Sequence, residues 1–259
     1  MALELGLTNR SLQRILKEDI AFKPYKKCKR HGLTDAQKKK RLVRSCELLR
    51  GHASGDLDGL VFSDEKLFSV EEKLNSQNTR IYAFSVEDIP EEIRTVQRFQ
   101  KEDKVMIWAG ISKIGKFPLV FIESGVRINA HYYIENVLKP VVKVHGERMY
   151  PNRNWTFQQD SAPAHKAKIT QAWCRSNLSN FISTSEWPPC SPDLNPMDYS
   201  IWGILEARVN AKRHKSIEAL RATLTREWEK LSMENVRAAI DAWPKRLKGV
   251  RKAKGGHIE

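Results

Sequence analysis

The sequence predicts an α/β fold, a mixed sheet flanked by helices, with a short helical piece ahead of it and a helical carboxyl end. Three observations lead there. The 259 residues are 41% hydrophobic with both charge signs interspersed, enough for one sizeable core and a smaller appendage. Strand-like runs concentrate between Gly59 and Ile122. One helical period, one further strand and a long helical pattern follow, an order that suits a mixed sheet covered by helices.

Taken in order, Ala2–Lys17 reads ALELGLTNRSLQRILK, a helix end, a turn at Gly6 and a second periodic stretch. That is helix-turn-helix punctuation, with Thr8 as N-cap and Leu12, Ile15 and Leu16 as the apolar stripe. Asn9, Arg10, Gln13 and Arg14 fall on the other face, where a recognition helix meets a major groove, although any amphipathic surface helix shows the same pattern. Residues 1–22 are therefore read as a partial DNA-binding unit and 23–55 as a basic linker ending in a helix from Thr34 or Asp35. Lys38-Lys39-Lys40-Arg41 in that linker suits DNA binding, nuclear import or simply a solvated helix face.

Residues 56–259 form the third region. A buried strand is expected at Gly59–Phe62, leading into Ser63-Asp64-Glu65-Lys66. Strands are also expected at Thr79–Phe84, Lys104–Ser112 and Lys116–Ile122, the last two joined by a turn at Lys113-Ile114-Gly115. Asn129–Val144 has a helical period, Trp155–Gln159 reads as a strand ending at Asp160, and a helix from about His165 to Ser176 precedes a short strand at Phe181–Ser183. From Pro196 to Lys248 the pattern is almost continuously helical.

Composition narrows the function. No apolar run approaches the roughly 20 residues that cross a bilayer, and the amino end lacks the features of a signal peptide, so a soluble intracellular protein without a membrane partner is expected. Cys28, Cys46, Cys174 and Cys190 are scattered without a C-x-x-C pair and read as reduced thiols. The net charge of +14 is uneven: 14 Lys/Arg face 5 Asp/Glu in residues 1–50, 17 face 19 in 51–200, and 14 face 7 in 201–259. Basic flanks around a slightly acidic centre suit an enzyme that grips phosphates and gathers carboxylates for metal, though solvated tails would look alike.

Phosphodiester cleavage by two metal ions needs convergent carboxylates. Asp64 and Asp160 are expected at strand ends, where rigid backbone aims side chains. Asp198 follows Asn195-Pro196-Met197, a helix start with Asn195 as N-cap and Asp198 at N3, close to a capping box. Such a start would also fix the direction of the carboxylate, with Ile201, Trp202 and Leu205 anchoring the helix. Ser/His/Asp and Cys/His arrangements for a covalent nucleophile are absent.

The blocks Ser63-Asp64-Glu65-Lys66, Gln158-Gln159-Asp160-Ser161-Ala162-Pro163-Ala164-His165 and Trp187-Pro188-Pro189-Cys190-Ser191-Pro192-Asp193-Leu194-Asn195-Pro196-Met197-Asp198-Tyr199 resemble, in order, the three acidic blocks of mariner-type transposases. The resemblance implies an RNase H-like fold, two Mg²⁺ or Mn²⁺ ions, and Asp64, Asp160 and Asp198 as catalytic metal ligands. It further implies double-stranded DNA as partner, terminal inverted repeats and a TA target, a homodimer when active, a nuclear location and no small-molecule substrate. Between Asp160 and Asp198 lie 37 residues and the third acid is Asp, a combination that resembles the maT-like branch. Asp193 is a rival third ligand, but the family's acid follows Asn-Pro-x as Asp198 does.

The family carries two helix-turn-helix units, and this chain resembles one opening inside the second. Lys66 is a candidate phosphate contact or a solvated lysine. His165 is a candidate for orienting substrate or water, or a packed helix-start histidine, and Trp187 for shaping the loop that delivers Asp198. Trp108, Trp173 and Trp202 read as core. The expected activity is metal-dependent hydrolysis at an element's end followed by 3′-hydroxyl strand transfer. The alternatives are a domesticated or defective DNA-binding descendant and an RNase H-like nuclease with another substrate.

Overall fold

The computed structural model describes the chain except residues 1–5, 7, 20–31, 58, 72–81, 86, 92–102, 124, 153, 212 and 259, and the side chains of Asn9, Gln13 and Leu16. It divides into two compact units, Met1–Gly32 and Leu33–Glu259. In the first, α1 (Asn9–Arg14) runs on into a wider turn, Ile15–Asp19. Thr8 caps it as expected, its hydroxyl accepting the Ser11 N–H at 3.1 Å, and Arg10 and Arg14 are exposed. The helix expected before Gly6 lies outside the described residues.

The second unit opens with α2 (Asp35–Ser54), started by a capping box between Thr34 and Gln37 and stopped by Gly55 in left-handed backbone, φ +83°. A mixed sheet follows, in the order β3 (Gly115–Lys116), β2 (Lys104–Ser112), β1 (Leu60–Ser69), β5 (Thr156–Gln158), β6 (Asn180–Phe181), with β4 (Val120–Ile122) also on β2. β1–β2 is antiparallel, whereas β1–β5 and β5–β6 are parallel.

β1 departs from expectation. It does not stop at Phe62 but continues to Ser69, with Asp64 paired to Ala109 in mid-strand. The ladder to β2 satisfies the backbone of the polar stretch, so it stays extended although its side chains lack a strand's apolar alternation. Thr79–Phe84 is the other departure. Tyr82 to Phe84 form no strand and the rings of Tyr82 and Phe84 are exposed, while residues 79–81 lie outside the described residues.

Strand periodicity splits the core between two faces. Phe62, Phe68, Ile107, Ala109 and Ile111 face α2 and the carboxyl-terminal helices, whereas Val61, Trp108 and Phe157 face the opposite helical layer. That second layer is led by α3, which runs through Ala130–Tyr133, Ile134–Lys143 and Val144–Met149. Its middle part is π-wound around Pro140, which has no N–H to donate. The helix expected from His165 is two, α4 (Pro163–Lys166) and α5 (Lys168–Asn177), separated by extended backbone at Ala167.

The carboxyl end is three helices rather than one run. α6 comprises Met197–Ile201 and Trp202–Val209; α7 (Ile217–Glu229) and α8 (Met233–Lys252) follow, each started by a serine N-cap, Ser216 and Ser232. No helix among the described residues is long and apolar enough to cross a membrane. Cys46, Cys174 and Cys190 are free thiols.

Candidate active site

Asp64 and Glu65 are neighbours on β1, and the pleat sends them to opposite faces of the sheet. Asp64 follows Phe62 toward α6, where Trp202 Nε1 donates to its Oδ2 at 2.6 Å. The indole is 1% exposed, so a core residue also holds the carboxylate. Glu65 follows Val61 to the other face, where its Oε1 lies 3.3 Å from His165 Nε2. This approach is an ion pair without hydrogen-bond geometry.

Asp160 lies two residues beyond β5. Its Oδ1 accepts the Ala162 N–H at 2.8 Å and stands 2.6 Å from His165 Nδ1. His165 is 3% exposed, packed against the Tyr133 ring at 4.3 Å between centroids. It bridges Asp160 and Glu65 and so orients a carboxylate from behind; no face of it is open to a duplex.

Asp198 is delivered by Asn195. Asn195 Oδ1 accepts the Met197 N–H at 3.1 Å and its carbonyl accepts from Tyr199 at 3.1 Å, as an N-cap does. The reciprocal half of a capping box is not made, because the Asn195 N–H donates to Pro192 O and leaves the Asp198 carboxylate to line the cleft. Asn195 Nδ2 also donates to Ser63 O at 3.1 Å, tying this helix start to the backbone beside Asp64.

The loop before Asn195 is fastened from two helices. On α2, Arg41 is fully buried and its guanidinium forks onto Asp193 at 3.0 and 2.7 Å. The same group donates to Ser191 Oγ, to Cys190 O and to Gly255 O beyond α8. Arg44 donates to Trp187 O at 2.7 Å, and Arg246 of α8 donates to Asp193 O at 3.0 Å. Asp193 is thus engaged with Arg41. Trp187, expected near the site as a shaper of the loop that delivers Asp198, is buried and lines the cleft.

Asp64, Glu65, Asp160 and Asp198 line one cleft of about 500 Å³, together with Gln37 and Trp187. Burial, then the charges of Asp198 and Glu65, push the Asp64 carboxyl up to about 8 against the Trp202 hydrogen bond. Asp198 is raised to about 6 by burial, with Lys66 opposing and Asp160 and Glu65 assisting. Burial opposes charge on Asp160 as well, but the His165 hydrogen bond and charge prevail and lower its pKa. Burial would lower His165, yet Glu65 and Asp160 push it up to about 10. Burial, with the neighbouring acids, thus leaves Asp64 and Asp198 less acidic than usual, in a cleft short of positive charge.

Lys66 is one-third exposed and pairs with Glu206 at 3.5 Å, so its ammonium faces Asp198 and α6. Arg10 and Arg14 belong to the other compact unit. Asn195 caps the helix start as the sequence suggested, but sequence reasoning missed its tie to Ser63 and missed Glu65, Trp202 and Arg41 as parts of the site. The signal for Glu65 was its adjacency to Asp64 on an alternating strand; Arg41 sat in a lysine run that hid it.

Residues 60–221, which hold all three aspartates, match the profile of the DDE superfamily endonucleases. The chain belongs to that superfamily. This DDE endonuclease is 32% identical over 152 residues to the Tcb1 transposase of Caenorhabditis briggsae, covering 58% of the chain and 52% of that relative. It thus spans about half the length of that curated relative. It is 25% identical over 258 residues to the Tc3 transposase of Caenorhabditis elegans, covering 99% of the chain and 73% of that protein. Its fold is that of the Mos1 transposase in the paired-end complex with left transposon end, with TM-score 0.80 at 20% identity over 100% of this chain and 74% of that one. The catalytic domain of Mos1 mariner transposase superposes with TM-score 0.66 at 19% identity over 90% and 100%. The RNase H-like expectation is met.

Proposed function

We propose that this DDE endonuclease is the catalytic part of a cut-and-paste transposase of the mariner/Tc type, with Asp64, Asp160 and Asp198 as ligands of two divalent cations. The observation that carries the reading is the placement of three carboxylates, from β1, the end of β5 and the start of α6, along one open cleft. The donor set suits hard cations: all-oxygen ligands, crowded until Asp64 and Asp198 lose acidity, as a bound cation would reverse. Mos1 complexes were solved with Mn and with Mg. When bound, such a pair would neutralise charge on the attacking and leaving oxygens of a phosphodiester.

The chain's own residues do the positioning. Trp202 occupies Asp64 Oδ2 and His165 occupies Asp160 Oδ1, which leaves the second oxygen of each for a ligand. Among the described residues, no three acidic, His or Cys side chains are gathered around one point as they stand. The substrate in this reading is duplex DNA carrying terminal inverted repeats, inserted at TA by a homodimer in the nucleus. Mos1 is seen as a paired-end complex and as a strand transfer complex.

The test is cleavage and joining of a pre-nicked inverted-repeat end by purified protein in Mg²⁺ or Mn²⁺. Asp160→Ala should abolish both steps, and cleavage that survives it would overturn the assignment. Salt-dependent DNA binding by the wild type without nicking would favour a non-cleaving descendant.

A further inference from the structure

α2 and α8 pack antiparallel: His52 meets Trp243 at one end, and Arg41 reaches the Gly255 carbonyl at the other. The fit at that second end is close. A Cβ on Gly255, at φ +85°, would lie 2.0 Å from the Lys38 carbonyl oxygen. Two stretches distant in sequence, 33–46 and 245–258, are thereby brought together, and they hold eleven Lys/Arg against one acid, Asp35. Arg41, Arg44 and Arg246 turn inward to the acid-bearing loop. The other eight stay at the surface; Lys39, Lys40, Lys248, Arg251, Lys252 and Lys254 are exposed, with no carboxylate of the described residues paired to them.

Packed helix axes lie about 8–10 Å apart, close to the Debye length of about 8 Å at physiological salt, so charges on the two helices add into one field. Like charges at that spacing repel one another and nothing in the packing beneath requires them. A polyanion turns the repulsion into affinity by releasing counterions. The surface also adjoins the cleft, since Gln37, next to Lys38, lines it and Arg41 holds the carbonyl of Cys190, which lines it too. Lys245 to Lys252 rise about 10 Å along α8, a length over which B-DNA carries about six phosphates.

We propose that the shared basic end of α2 and α8 is a docking surface for the phosphate backbone of duplex DNA, carrying the double helix whose strand enters the cleft. This rests on the DNA-processing reading above but is tested by binding alone. The measurement is the affinity of the full chain for a 30-base-pair duplex, without divalent metal, across a series of salt concentrations. The variant joins Lys39→Gln, Lys40→Gln, Arg251→Gln and Lys252→Gln.

Each phosphate that is no longer neutralised should flatten the log–log salt dependence by about 0.9 and weaken binding about eightfold at 0.1 M salt. If the four substitutions free at least two phosphates, affinity falls about 50-fold or more and the slope by about 2. Lys39→Arg, Lys40→Arg, Arg251→Lys and Lys252→Arg together should keep wild-type binding, which separates charge from folding. Wild-type affinity and slope in the glutamine variant would overturn the proposal. So would an equal loss from Arg226→Gln with Lys230→Gln on α7 and the turn after it, or no duplex binding by the wild type. If binding falls as expected but nothing is cut, the docking surface stands and the transposase reading falls.

Discussion

Trp202 is fully packed against Phe68, yet its single polar atom is committed to Asp64. Trp202→Phe would keep an aromatic ring in the core and remove that donor. Leaving a buried acceptor without its donor costs about 1–3 kcal/mol, so the melting temperature should fall and the Asp64 carboxyl should become still less acidic. A variant that melts and binds Mn²⁺ like the wild type would show the bond to be incidental. At this scale the sequence was partly legible. Asp64, Asp160 and Asp198 stand out in motif blocks, whereas Trp202 announces only its apolar period. Its second role depends on a contact across 138 residues that periodicity cannot express.

Between elements, the Arg41 fork is the main fastening. Arg41→Ala would leave the Asp193 carboxylate, 15% exposed, without its cation, and breaking such a pair by removing one partner costs about 3–5 kcal/mol. Denaturant unfolding should report that loss, and Arg41→Lys should recover part of it without the two-pronged geometry. Gly255→Ala should mimic the defect more mildly by pushing the tail off α2; unchanged unfolding midpoints in both variants would remove Arg41 from this role. The helix itself was legible from Thr34 onward, cap included. Its burial was not, because Arg41 ends a run of three exposed or half-exposed lysines and local composition reads as solvent. The three carboxyl-terminal helices blurred into one for a similar reason: their breaks are short and set by serine caps rather than by Gly or Pro.

For the whole molecule, a mixed sheet flanked by helices followed from the order of strands and helices along the chain, while the length of β1 did not, since its polar half is held by β2 rather than by its own residues. The site's charge shapes stability as a function of pH. Asp64, folded at about 8 against an ordinary 3.8, keeps a proton that the unfolded chain has already released. Stability without metal should therefore fall as pH rises from about 4 to about 8. His165, at about 10 against 6.5, adds stability that is full below 6.5 and lost as pH climbs through 10, so the two act in the same direction. Binding Mn²⁺ must displace the Asp64 proton below pH 8, so affinity should rise about tenfold per pH unit between 6 and 8. Calorimetric titration at three pH values checks this, and a pH-independent affinity would sink it.

Because a polypeptide is made from its amino end, the Arg41 fork also sets an order of events. The guanidinium leaves the ribosome with none of its acceptors available. Asp193 follows 152 residues later, and the Gly255 carbonyl 214 residues after Arg41 itself. The loop that leads into Asp198 is pinned only after nearly all the described residues have emerged, so the cleft is completed when their translation has all but finished.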